Sequence, residues 1–449
     1  MTFLKITNYV RQHQKLMAIV IGVFFVFGNL VISNNTRKEG KRFVFWSDAM
    51  GYYVYLPSVF IHHDLNVISY GIVCNPFNKY TSGVATLQMP FFLLAHSVAS
   101  LTGDTSDGFS ETYEFCITMG TITYAYLGLL LMFLVLLRYV RKPAAFLSVL
   151  TIYLGTNLYY YTIGESGMSH AYSFFVISWF IWALHYFIEK PNWKNSLQMG
   201  FAIGLAVLIR PTNILIVIFP FMIGLESMKG ISNRALFFIK QPYAYLSIVV
   251  AFLAWVPQLI YWKIQAGCFL YYSYSGETFK FLTSPHIGDV LFGNVAGLFT
   301  YSPLLLLIIP GLFVMGKRGK LSTAIGITVI FLFIIYLNSS WWTPTFDCSF
   351  GHRAFIEYFP LFTIPIAFFF QAFFTNIRAI IISGILVLFF FVNIRIAYLY
   401  KKYPCWKAEW GYSWTWDNVA YIVRVAFYVD PPPSLHFRAI EKKESLPKI

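Results

Sequence analysis

The sequence predicts an all-α, polytopic integral membrane protein of about 11 transmembrane helices, with a long first extracytoplasmic loop that carries interfacial helices. Three observations predict it. The chain is 58% hydrophobic and only 12% charged, with a mean hydropathy of +0.62, whereas soluble domains carry about 25% charged residues. Apolar runs long enough to cross a hydrocarbon core of ~30 Å recur along its length. Its net charge of +14 sits mostly in the short connections between those runs, as the bias of Lys and Arg toward the cytoplasmic side produces. Charge placed that way is membrane topology, and no nucleic-acid partner is expected.

Taken in order, the chain opens with a polar, basic stretch, 1–16, carrying Lys5, Arg11 and Lys15. The apolar run 17–33 follows. No small-residue cleavage pattern comes after it, so it reads as a retained helix. Residues 34–115 form the first outer loop. Within it, 87–101 (LQMPFFLLAHSVASL) is apolar but short, and Pro90 and His96 interrupt it. Such segments lie at the interface or re-enter, so it is assigned to an interfacial platform, with a spanning helix as the alternative. Further spans are expected at about 116–137, 143–161, 169–188, 196–209, 213–226, 243–262, 291–315, 321–337, 356–374 and 379–399. The pair flanking Arg210 and Pro211 is short, as in a bent hairpin. Residues 1–400 make one transmembrane domain, and 401–449 a short extracytoplasmic tail. No internal repeat and no low-complexity tract is present. The five cysteines are scattered without metal-type spacing, and no disulfide framework is expected.

Placing the N-terminus in the cytoplasm assigns 15 Lys and Arg to inner loops and 9 to outer loops ahead of the tail, the direction the positive-inside bias requires. On that topology the inner loops hold little beyond charge. The outer connections gather Asp48, His62, His63, Asp64, Glu165, His170, Arg210, Glu277, His286, Asp347, His352, Arg353 and Glu357. Chemistry is therefore expected on the extracytoplasmic face. The Phe-rich, basic composition suits a bacterial inner membrane.

Asp48 stands in an aromatic stretch, WSDAMGYY, soon after the first span, with Tyr52 beside it. Glycosyl transfer with inversion needs a base for the acceptor, and a carboxylate within hydrogen-bond reach serves. The alternative is an Asp that caps a helical turn. In YTIGESGMSHAYSFF, Glu165 and His170 stand at the mouth of a span, where ionisable residues are functional candidates. Gly164 and Gly167 there would let backbone approach a ligand. Arg210, in LIRPTN, needs an anionic partner, either a lipid-linked phosphate or a carboxylate such as Glu165 or Asp48. Snorkelling to headgroups is the bland alternative. The stretch NSSWWTPTFDCSFGHRAFIEYFP adds Trp341 and Trp342, suited to an interface or a sugar face, with Asp347, His352 and Arg353 as supporting or phosphate-binding groups. Arg353 and Glu357, four apart, would simply pair on a helix. His62, His63 and Asp64 are weak metal candidates, because adjacent histidines on a helix point to different faces.

The order of these features resembles the GT-C glycosyltransferases, of the protein O-mannosyltransferase and lipid A aminoarabinose transferase type. The resemblance runs over residues 17–400 and is carried by FWSDAMGYYVYLP, NKYTSGVATLQMPFFLLAH, SGMSHAYSFF, LIRPTN, GLFTYSP and SFGHR in that order. It implies a polyprenyl-phosphate-linked sugar donor, an extracytoplasmic active site and an inverting transfer to a lipid, glycan or protein acceptor, with Asp48 as the base. No acidic pair stands at position 48, and the tail is short for a large soluble outer domain. A divalent metal (Mg or Mn) and the acceptor class therefore stay open. The competing reading is a transporter or flippase for a lipid-linked or small anionic substrate. Repeated halves and paired helix breaks would mark one, and the sequence offers a single candidate break, at Arg210 and Pro211.

Overall fold

A computed structural model describes residues 14–40, 44–65, 78–225, 228–274, 276–346 and 348–402. Asp347 and the tail from 403 onward lie outside the described residues. Helices account for the fold, and no strand occurs among the described residues. Among the described residues eight helices are long and apolar enough to cross a membrane, and the chain is an integral membrane protein. Shorter apolar helices at Lys142–Leu154, Pro211–Phe221 and Pro303–Lys317 fall on three more of the expected segments.

The bundle is layered by burial. Ser169–Glu189 and the helix Phe359–Phe373 form its centre, with most side chains enclosed. Gln14–Gly40, Pro242–Ala266 and Asn376–Lys402 lie outside and present apolar side chains such as Phe24, Phe252 and Val387 outward. Lipid tails are as apolar as these residues, so helices in a membrane associate by close packing and interhelical hydrogen bonds. One contact shows how. Gly200 and Gly204, on Trp193–Ile209, face the backbone of Ser247 and Ala251 on Pro242–Ala266, where a Cβ at 204 would come within 2.6 Å of a carbonyl oxygen. Trp255 Nε1 donates to the Gly204 carbonyl across the same seam, at 3.1 Å.

The first loop differs from expectation in one respect. The apolar segment expected over 87–101 is a full helix, Gly83–Thr102, that contains Pro90. Its length allows a crossing, yet both flanks are tied to one end of the bundle. Thr81, just before it, donates to the Leu208 carbonyl at the end of Trp193–Ile209. Gly108, just after it, accepts from the Tyr53 hydroxyl. At the opposite end of the bundle, Arg138 pairs with Glu189, and the Arg141 amide donates to Gln371.

Disulfide bonding also departs from expectation. Cys348 is disulfide-bonded, while Cys116 and Cys268 are free. Spacing alone gives no sign of that bond.

Candidate active site

The site is built where helices end. Asp48 opens the short helix Asp48–Tyr53, whose N-cap residue, Ser47, makes no side-chain capping bond. Asp48 Oδ1 accepts from the Tyr80 hydroxyl at 2.6 Å, and Oδ2 accepts from Arg353 Nη2 at 3.1 Å. Ser47, just before it, sits at φ 50, a left-handed conformation that a non-glycine residue holds only when its surroundings impose it. Tyr80 gets this close because residue 51 is glycine. A Cβ at Gly51 would lie 2.7 Å from Tyr80 Cε2 and nearer still to Cδ2. Asn78 fixes the pair, donating to the Gly51 carbonyl at 2.7 Å and accepting from the Tyr80 amide at 3.0 Å.

Arg210 ends Trp193–Ile209 in an extended conformation, φ −147 and ψ 123. The ring of Pro211 disfavours the helical region for the residue before it, which turns Arg210 out of the helix. Its Nε lies 3.0 Å from Glu357 Oε1. His170 Nδ1 faces the same carboxylate oxygen at 3.5 Å. Arg210 and Glu357 form an ion pair by distance, and neither Glu357 contact has the angles of a hydrogen bond. Glu357 and His170 are fully enclosed. The partner of Arg210 is therefore Glu357, not the Glu165 or Asp48 that the sequence offered. Arg353 pairs with Asp48 instead of with Glu357 four residues on. Residues 353–358 form a 3-10 turn, with three residues per turn, so side chains four apart do not share a face.

These groups open onto a cavity of about 550 Å³. Its lining includes Asp48, Tyr52, Lys79, Tyr80, Glu165, Arg210 and Arg353, interleaved with the rings of Tyr272, Tyr274, Phe279, Trp341, Trp342 and Phe346. Lys79 pairs with Glu277 and lies over the rings of Tyr80 and Tyr274 at 5.4 and 5.1 Å. Glu165 Oε1 accepts from the Tyr160 hydroxyl at 2.9 Å. Burial acts to raise the Asp48 carboxyl, but Arg353 first, then the Tyr80 hydrogen bond, Lys79 and Arg210, carry it below the ordinary carboxylate value. Asp48 is thus an anion in a partly enclosed site. Burial pushes the Tyr52 phenol up, with Arg210, Asp48 and Arg353 all close enough to act on it.

Of the residues singled out from the sequence, Asp48, Tyr52, Glu165, Arg210 and Arg353 line this one cavity. His170 does not line it and is linked to it through Glu357 and Arg210. His352 is also enclosed beside the cavity, with Nε2 3.0 Å from the Pro344 carbonyl. Burial, with Arg353 and Arg210 nearby, pushes its imidazole down to about 3, so it is a neutral donor to that carbonyl. His62, His63 and Asp64 are exposed, away from the cavity lining, at the end of the turn Ser58–His62. Gly164 and Gly167 do not open backbone to a ligand. A Cβ at 164 would meet Tyr160, and one at 167 would meet the Val44 carbonyl and Ala49.

The donors do not fit a divalent cation at Asp48. A guanidinium already occupies Oδ2, and Lys79 and Arg210 also act on the carboxylate, so a metal ion would meet three like charges. No group of three or more His, Cys, Asp or Glu with metal-site spacing occurs among the described residues. Lys79, Tyr80 and Tyr274 are the site residues that sequence reading missed. Lys79 and Tyr80 fall inside NKYTSG, a stretch whose pattern marks no chemistry.

No protein-family model matches this chain. No curated protein matches it. Among solved structures it is similar to the archaeal oligosaccharyltransferase AglB from Archaeoglobus fulgidus, determined in complex with an inhibitory peptide and a dolichol-phosphate. The two are 12% identical, with a TM-score of 0.41. The match covers 95% of this chain, which spans 62% of the length of that one.

Proposed function

We propose that this protein is a glycosyltransferase that moves one hexosyl or pentosyl unit from a polyprenyl-phosphate-linked donor to a lipid, glycan or protein acceptor. The transfer takes place at the extracytoplasmic face, in a bacterial inner membrane. One observation carries the reading: an ionised carboxylate, Asp48, stands in the lining of a cavity of about 550 Å³ that also presents Arg210, Arg353, Lys79 and several aromatic rings. A base, cations for a leaving phosphate, and rings for a sugar face are the parts such a transfer uses. The disulfide at Cys348, also in the cavity lining, supports an oxidising compartment for this face.

In the reaction, Asp48 takes the proton of the acceptor hydroxyl as that oxygen bonds to the anomeric carbon. The bond from that carbon to the phosphate oxygen breaks on the opposite face, and its electron pair leaves with the polyprenyl phosphate. Configuration inverts. Arg210 and Arg353 hold the phosphate charge. Glu357 and His170 position Arg210 from behind, and Tyr52, Glu165 and His352 support the wall. Asp347, outside the described residues, keeps its place as a supporting acid of the same loop. No step is routed through a metal.

The test compares surface glycans and lipids by mass spectrometry in cells with and without the protein, and in cells carrying Asp48→Asn at equal membrane abundance. A single sugar is expected to disappear without the protein and to stay missing with the variant. Full activity in the variant removes Asp48 from the mechanism. Unchanged glycans with a shifted carrier-lipid distribution across the membrane would make the protein a transporter instead.

A further inference from the structure

We propose that Arg353 is a latch on the base, opened by the donor's phosphate. In the empty site Arg353 holds Asp48. When a polyprenyl-phosphate donor enters, the guanidinium swings to the phosphate and Asp48 is freed for the acceptor. The proposal rests on the reading of the site given above and adds an order to it: donor first, then a competent base.

Three features of the site point to this. First, Arg353 and Asp48 are far apart in sequence yet meet at the cavity wall, and the contact is single, from Nη2 to Oδ2 at 3.1 Å. Arg353 Nε has no hydrogen-bond partner. A guanidinium prefers to bind through a fork of parallel N–H groups, and a phosphate offers the matching pair of oxygens. The resting contact leaves that capacity unused. Second, the partner of Arg210 is Glu357, which is 1% exposed on its side chain and lies behind the wall. Arg353 instead leans on a carboxylate that faces the cavity and is 23% exposed. An arriving anion competes with that carboxylate directly. Third, Asp48 does not depend on Arg353 for its orientation. The Tyr80 hydroxyl holds Oδ1 at 2.6 Å, and Gly51 and Asn78 hold Tyr80. When Arg353 leaves, Oδ2 is open and the carboxylate stays in place.

A base bonded to a guanidinium at the oxygen it needs is a weak base. Coupling its release to donor binding keeps an empty enzyme from activating an acceptor hydroxyl, or water, with no sugar to receive it.

The experiment measures binding, so it does not need the acceptor. The full chain in lipid nanodiscs is titrated with a short-chain polyprenyl monophosphate and read by native mass spectrometry. Wild type, Asp48→Asn, Arg353→Gln and the double variant are compared. If Asp48 and the phosphate compete for Arg353, Asp48→Asn binds the lipid phosphate more tightly. The expected gain is about 3-fold to 30-fold, spanning the range from an exposed to a desolvated charge pair. In the Arg353→Gln background the same substitution changes affinity by less than about twofold. Wild-type binding with no gain in Asp48→Asn overturns the latch and leaves the glycosyltransferase reading standing. An equal gain in the Arg353→Gln background also overturns it, because the effect is then one of general charge. If neither wild type nor any variant binds the probe, the reading of the site fails and the latch fails with it.

Discussion

Gly51→Ala is the sharpest test of how the base is set. The added methyl group would touch no group proposed to react. It would lie 2.7 Å from Tyr80 Cε2 and nearer to Cδ2, where carbon pairs settle at about 3.5–4.0 Å. The ring must retreat by about 1 Å, and the hydroxyl bonded to Asp48 at 2.6 Å then passes beyond hydrogen-bond reach. Tyr80 cannot yield freely, because its ring also lies 4.4 Å from Tyr52 and its amide is held by Asn78. A misplacement of ~1 Å remote from the reacting atoms costs on the order of 10²-fold in rate. Overpacking of this kind costs about 1–3 kcal/mol in stability. The assay is sugar transfer in isolated membranes, scored by mass spectrometry and normalised to folded protein. A drop of about 100-fold is expected, with little change in the donor concentration needed for half-maximal rate. Gly51→Ala at near wild-type rate would show that the Tyr80 contact does not orient the base.

Further outcomes follow from the same geometry. Tyr80→Phe keeps the ring and removes the hydroxyl that helps hold Asp48 below its ordinary value. The base works when deprotonated, so losing that hydrogen bond moves the variant's acid limb upward relative to wild type. An unmoved acid limb would separate Tyr80 from the titration. Arg210→Ala is expected to raise the apparent KM for a polyprenyl-phosphate sugar, and an unchanged KM would make Arg210 a headgroup anchor. Glu357→Gln leaves Arg210 without its enclosed counter-charge, a loss of about 3–5 kcal/mol. Adding Arg210→Gln should restore much of that stability while leaving transfer impaired, and thermal melts of the purified variants check it.

The sequence made the membrane class and part of the site legible for a physical reason. Charge in an apolar chain is costly, so ionisable residues placed near span ends are few and each has a purpose. Asp48, Glu165, Arg210 and Arg353 were found that way and share one cavity. Pairing was less legible. Spacing joined Arg353 to Glu357 because the rule for four-residue pairs assumes an α-helix, and a 3-10 turn broke that register. Tyr80 was invisible because its contact with Asp48 depends on a missing side chain at Gly51, and nothing local marks a glycine as space for a ring from 29 residues on. Gly167 misled in the opposite way: its openness serves the packing of Val44 and Ala49.

The position of the site follows from the cost of its charges. Arg210, Arg353 and Lys79 each hold a carboxylate partner, namely Glu357, Asp48 and Glu277. An unpaired cation there would face a desolvation cost of several kcal/mol. Each pair joins distant segments of the chain. Each one sits at or beyond the end of a regular α-helix: Pro211 forces Arg210 into an extended conformation, Arg353 opens a 3-10 turn, Asp48 begins a helix after a left-handed serine, and Lys79 and Glu277 lie outside helices. Two of the three pairs have both members in the cavity lining, and the third keeps its carboxylate behind the wall. That asymmetry makes Arg210 a fixed charge for an anionic ligand. It leaves Asp48 with Arg353, like Glu277 with Lys79, as a pair that faces the ligand's space, and the first of these holds the acid proposed to act as base.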